Sequence, residues 1–272
     1  MGDDPATWFF IIGCQRSGTT LMRLVLECHS RIQCCDEQAT YSILAGRRLL
    51  VRERPLLGLK APCLTEQFGN TSLWDPLVLP EVSNPYCGQK LIFMMRDVRD
   101  TVASMLRLRV RTEPWTETHL TTALEAKLDR DPAFVERYAP VILKLRTARY
   151  PTLARAAFYW RYKAEALYDY LERGFPVLLI RYEDLVTRAE VELLRVCGFL
   201  QVPWESGLLR HPTFTHAEVD DAGLAIGGTD ARRPIDTHSL GQWHGVFSDD
   251  QLNEILEFAG SAQTGIYFTP AQ

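Results

Sequence analysis

The chain has 272 residues, 46% hydrophobic and 24% charged, a globular composition that excludes a disordered or fibrous protein. That length, without a Gly/Ser-rich or Pro-rich linker, predicts one domain spanning 1–272. A net charge of −4 and a pI near 5.9 argue against a nucleic-acid partner, since such domains are basic. Local clusters (Arg47, Arg48, Arg52 and Arg54; Arg96 and Arg99; Arg232 and Arg233) still allow a basic pocket for a small anion, or merely solvated helix faces. Seven cysteines with no CxxC pair predict reduced thiols, and six histidines without ligand spacing predict no metal site. An acidic start and an apolar run too short to span a bilayer predict a cytoplasmic protein without a membrane anchor.

In chain order, Trp8–Ile12 is a continuous apolar run that reads as a buried strand ending at Gly13. Leu21, Leu24, Val25 and Cys28 then recur at helical spacing. Leu56–Ala61, Lys90–Met95 and Pro176–Ile180 are further strands, each followed by polar residues where parallel sheets hold ligands. Leu153, Ala156, Ala157, Trp160, Ala164, Leu167 and Leu171 form one apolar helical face. Thr187 with Glu190, and Ser248 with Gln251, read as capping boxes, the first helix stopping near Gly198. The stretch from Pro203 to Trp243 reads as a long loop, and 110–150 carries no motif. Together these predict an α/β fold: a single P-loop-like domain with a central, mainly parallel β-sheet flanked by helices.

GCQRSGTT, Gly13–Thr20, has the GxxxxG spacing of a phosphate cradle, in which backbone N–H groups and the following helix dipole meet an anion. A nucleotide kinase needs lysine after the second glycine, but Thr19 stands there, and the cation is inside the loop at Arg16. That placement suits a donor with one 5′ phosphate bearing a sulfuryl group rather than a magnesium triphosphate. After the Lys90–Met95 strand, Arg96 and Ser104 lie two helical turns apart, so both can face one phosphate.

GCQRSGTTLMR, Gly13–Arg23, resembles the donor loop of sulfotransferases that use 3′-phosphoadenosine 5′-phosphosulfate (PAPS), most closely the tyrosylprotein sulfotransferases. The resemblance implies that Gln15, Arg16, Ser17, Gly18, Thr19 and Thr20 bind PAPS, leaving the product PAP, with Arg96 and Ser104 on the 3′ phosphate. It makes Glu37 the general base by its spacing from Arg16, with Asp36 the neighbouring alternative; a carboxylate in a partly buried cleft can take the proton of an attacking hydroxyl. Lys60 steadies the leaving phosphate or the transferring group. Ala61, Pro62 and Cys63 follow it, so the histidine base of cytosolic members is absent. Tyr182 in a YED segment touches adenine, and Arg233 is a phosphate-binding cation. Gly241 stands where the tyrosylprotein enzymes have serine two residues before Trp243.

The expected reaction is in-line sulfuryl transfer to a hydroxyl, with Glu37, Arg16 and Lys60 catalytic and no metal. The stretch after Glu37 lacks the arginines with which tyrosylprotein enzymes hold acidic peptides, so the expected acceptor is a small metabolite, lipid or glycan. A tyrosine peptide is the alternative. The oligomeric state stays open, a homodimer included, as does an O or N acceptor atom. A P-loop kinase and a non-catalytic nucleotide-binding protein are the competing classes.

Overall fold

The structure, a computed structural model, describes residues 8–44, 53–61, 89–110, 112–225 and 227–263. Of the basic run only Arg54 is described. Arg47, Arg48, Arg52, Cys63, Cys87 and the acidic start lie outside the described residues.

Five strands form one parallel sheet: β1 Trp8–Gly13, β2 Ile32–Cys35, β3 Leu56–Lys60, β4 Lys90–Met95 and, later in the chain, β7 Val177–Arg181. Their order is β2-β3-β1-β4-β7. The register aligns Ile11 with Lys60 on one side and with Ile92 on the other, and sets Gly13 beside Met94. The carboxyl ends of β1, β3 and β4 therefore share one edge, the edge at which α/β sheets bind ligands. The expected α/β class with a mainly parallel sheet flanked by helices is the one observed.

The chain divides into two compact units. One comprises residues up to 13, 17–95 and 167–238; the other 14–16, 96–166 and 239 onward. The first contains the sheet. Helices α1 (Thr19–Glu27) and α2 (Glu37–Leu44) follow β1 and β2, while α7 (Tyr182–Thr187) and α8 (Ala189–Leu200) follow β7. Alternate strand residues Phe9 and Ile11, Ile92 and Met94, and Ile180 face Met22, Val25 and Leu26 of α1 and Leu193 and Val196 of α8 in one buried cluster. Period-two strands against period-3.6 helices make this layer, and each fully buried Ile or Met contributes about 1.5–3 kcal/mol.

The second unit is helical. It contains α3 (Val98–Arg107), α4 (His119–Arg130), α5 (Pro132–Leu145), the first part of α6 (Pro151–Glu172) and α9 (Asp249–Ala259). Its core is aromatic: the Phe134 ring lies 4.9 Å from Tyr138, 5.8 Å from Phe158 and 5.1 Å from Tyr162. Two-residue strands β5 (Arg109–Val110) and β6 (Glu113–Pro114) pair antiparallel. No described helix is long and apolar enough to cross a membrane.

Three local readings need correction. Thr187 does not open a helix: it ends α7, its hydroxyl donating back to the Glu183 carbonyl at 2.6 Å, and α8 starts without a side-chain cap. Gly198 does not stop α8, which runs on to Leu200 and closes at Gln201 in the left-handed region, φ 61°. The Pro203–Trp243 loop holds a 3₁₀ segment at Ser206–Thr213 and a short ladder of β8 (Leu224–Ala225) with β9 (Thr229–Asp230). The Ser248 capping box forms as expected, with both reciprocal hydrogen bonds.

His211, in the 3₁₀ segment, is fully buried. Burial, then the neighbouring His216, pushes its pKa down from 6.5 to about 4. Between those values the unfolded chain binds the extra proton, so neutral His211 contributes its full stability above pH 6.5 and loses it as pH falls through 4. Urea midpoints measured at falling pH should drop more steeply for the wild-type chain than for His211→Gln; parallel curves would refute this.

Candidate active site

The loop from β1 to α1 is built by steric constraint. Gly13 has φ +144°, and a Cβ there would meet the Met94 carbonyl oxygen at 2.2 Å. Gly18 has φ +93°, and its Cβ would lie 2.5 Å from the Tyr182 ring. Both positions require glycine, one for the neighbouring strand and one for an aromatic ring laid across the loop. Gly18 also precedes α1 as an N-cap without a side-chain cap hydrogen bond, and the Ser17 hydroxyl is buried with no hydrogen-bond partner among the described residues. The first N–H groups of a helix have no intrahelical acceptor. A buried orphan hydroxyl beside such an uncapped terminus fits a phosphate ligand.

In the same unit, Asp36 and Glu37 separate in role. Asp36 is buried, and its carboxylate accepts the Ala39 N–H at 2.8 Å, holding the first turn of α2. Glu37 opens that helix and pairs with Lys60, 3.1 Å away, with 20% of its side chain exposed against 3% for the lysine. Lys60 reaches this position because it ends β3 on the ligand edge of the sheet. Tyr182 starts α7 directly after β7 and is buried. Arg233 is bound by Asp236, its Nε 2.9 Å from the carboxylate. That bond chiefly lowers the Asp236 pKa to about 2 and raises that of Arg233.

The other unit brings Arg16, Arg96 and Ser104 together. Arg16 Nε donates to the Ser104 hydroxyl at 2.9 Å. Arg96 donates to the Arg16 carbonyl at 3.2 Å and to the Ser239 carbonyl, and lies 3.8 Å from Asp100. Arg96 and Ser104 do belong to one cluster, but Arg16, a loop residue, occupies the serine. The Trp160 indole donates to the Arg96 carbonyl at 3.0 Å, fixing the arginine's backbone.

Sequence reasoning missed two groups. Asp100 accepts the N–H of Gly241 at 2.9 Å and of Trp243 at 3.1 Å, while Arg99 lies 4.4 Å over the Trp243 ring. Gly241 has φ +66°, so the backbone itself favours glycine where the resembling family has serine. The second group is Gln15 with Tyr159 and Lys163 of α6: the tyrosine hydroxyl donates to the Gln15 amide oxygen at 2.7 Å and the lysine contacts the same atom. The available signal was a lysine set in an apolar helical stripe, four residues after a tyrosine.

The profile described as the Sulfotransferase family matches residues 9–61, which hold the loop, Glu37 and Lys60. A Drosophila melanogaster protein-tyrosine sulfotransferase is 22% identical over 92% of this chain and 49% of its own. A Caenorhabditis briggsae protein, named by inference for the same activity, is 25% identical over 92% of this chain and 85% of its own. A solved mouse sulfotransferase complexed with PAP matches with a TM-score of 0.54 at 14% identity, over 93% of this chain and 82% of that one. Over residues 9–61 the chain is similar to the Sulfotransferase family, and its fold is similar to that of solved sulfotransferases. Structural likeness at that identity speaks for the fold. The family profile and the sequence relatives carry the likeness to sulfotransferases in sequence. Among the described residues no group of three or more His, Cys, Asp or Glu is arranged to hold a metal ion.

Gly18→Ala tests the loop. Its left-handed backbone and the crowding against Tyr182 should cost about 1–3 kcal/mol of stability and weaken PAP binding, read by denaturant unfolding and calorimetry. Unchanged PAP affinity would show that the loop does not touch the donor.

Proposed function

We propose that this sulfotransferase moves the sulfuryl group of PAPS to the phenolic hydroxyl of a tyrosine in a polypeptide. The observation that carries the acceptor is the naming of its sequence relatives as protein-tyrosine sulfotransferases, matched along 92% of the chain. It favours the tyrosine acceptor over the small metabolite, lipid or glycan expected from the lack of arginines after Glu37.

In the proposed reaction the tyrosine oxygen attacks sulfur in line with the bond to the 5′ phosphate. The new S–O bond forms as the bridging S–O bond breaks. Glu37 takes the phenolic proton, and the bond's electron pair leaves with PAP. Glu37 is chosen over Asp36 because Asp36 is committed to the turn of α2 while Glu37 faces Lys60. Arg16 and Lys60 offset the charge that grows on the bridging and sulfuryl oxygens. Ser17 and the N–H groups of Gly18, Thr19 and Thr20 receive the 5′ phosphate, and Gln15 shapes that turn. Arg96 and Ser104 receive the 3′ phosphate, which requires the Arg16 side chain to leave Ser104 when the donor binds. Tyr182 stacks on adenine, and Arg233 exchanges Asp236 for phosphate.

A single domain over 1–272 belongs to the proposal, since no Gly/Ser-rich or Pro-rich linker interrupts the chain. A reducing, cytoplasmic setting belongs to the proposal. Cys14, Cys28, Cys34, Cys35 and Cys197 are buried and form no disulfide among the described residues, and burial pushes the Cys28 thiol up to about 12.

Thermal shift with PAP, with ATP and magnesium, and without ligand tests the donor: PAP alone should stabilise, and stabilisation by ATP only would return the kinase reading. Labelled PAPS with a tyrosine peptide and with a simple phenol tests the acceptor; transfer to the phenol alone would restore the small-molecule reading. Arg16→Ala should lower turnover by about 10²–10³, and Glu37→Gln by about 10²–10⁴. Near-normal turnover of either variant sinks that residue's assignment.

A further inference from the structure

Lys163 is almost completely buried, at 1% exposure, in a helix that otherwise turns an apolar stripe inward. Burying an ammonium group is costly unless strong partners hold it. Here those partners converge on the donor loop. Tyr159 and Lys163, one helical turn apart on α6, both direct donors at the Gln15 amide oxygen, and the ammonium also contacts the Tyr159 hydroxyl and lies 4.0 Å from the centre of its ring.

Gln15 is followed by Arg16, the loop's cation, which has φ +72°. A long side chain in the left-handed region persists only where its surroundings over-determine it. On its carboxyl side Arg16 is held by Arg96 at its carbonyl and by Ser104 at its side chain. On its amino side the hold comes from Gln15, and thus from α6. Thr19 also leaves the loop without the lysine of a kinase-type cradle, so the direction of Arg16 matters more here than in a loop with two cations.

We propose that Lys163, together with Tyr159, is a positioning residue that acts through Gln15 to hold the Arg16 backbone in the left-handed conformation from which its side chain can turn from Ser104 to the donor. This rests on the reading of the loop as the donor site. Neither side chain needs to touch the donor; their effect passes through a neighbouring peptide, and a displacement near 1 Å at a reacting group can cost about 10²-fold in rate.

The test is a thermodynamic cycle on the full chain. PAP affinity is measured by calorimetry for the wild type, Lys163→Met, Arg16→Ala and the double variant, with an unfolding midpoint for each. Lys163→Met should weaken PAP binding about tenfold when Arg16 is present and less than about twofold when Arg16 is alanine, because residues acting as a unit are not additive. Lys163→Arg should recover part of the loss. Equal losses in both backgrounds, or none, overturn the proposal, since a merely structural lysine would not lose its effect with Arg16. If Lys163→Met does not fold, Tyr159→Phe, which removes only a hydroxyl, is run through the same cycle against the same two outcomes. A wild-type chain that binds no PAP overturns the donor reading and this inference together; PAP binding indifferent to Lys163 overturns the inference alone.

Discussion

The turn from β1 into α1 has to pass beside the carbonyl of Met94, and it does so by placing Gly13, Arg16 and Gly18 at positive φ. Two of these are glycines and bear the conformation without strain. The third is an arginine, and much of the surrounding polar structure serves to hold it. Arg96 grips its carbonyl, Ser104 its guanidinium, and Gln15 ties the preceding residue to α6. A loop stabilised by its own hydrogen bonds would not need contacts from three separate helical or strand-end positions. This one is held from outside, by residues far from it in the sequence.

Buried charge follows the same logic. Lys60, Arg96, Asp100 and Lys163 are all nearly inaccessible. Each meets a carboxylate, a main-chain group or an amide oxygen, as buried charges must. Asp100 joins both demands: it lies near Arg96 and receives the N–H groups of Gly241 and Trp243, so one carboxylate organises the late loop. Arg233 is different. It is partly exposed and paired with Asp236, and exposed ion pairs contribute only about 0–1 kcal/mol.

β1, β4 and β7 were legible because each holds an unbroken apolar run that has few other uses, whereas β3 is a weaker signal, interrupted at Gly58. β2 and α2 were harder: Ile32–Cys35 is only four residues long, and α2 places polar and apolar residues without a clear stripe. Thr187 misled because its pattern matches a capping box, yet its hydroxyl turns back to a carbonyl of its own helix, a competition that serine and threonine always offer. Gly198 misled because it lies mid-helix with open space around it, and Gln201 rather than glycine takes the left-handed end.

The sequence by itself determined the phosphate-cradle spacing of Gly13–Thr20, the glycines its turn requires, the arginine inside it, and the spacing of Arg96 and Ser104, since these depend on short-range spacing along a strand–loop–helix unit. The pairing of Glu37 with Lys60, the capture of Ser104 by Arg16 and the reach of Tyr159 and Lys163 to Gln15 were decided only by tertiary structure. They join residues 23 to 148 positions apart. The physical reason is that backbone geometry carries information across a few residues, whereas the partner of a buried charge is set by which elements the packed core brings beside it.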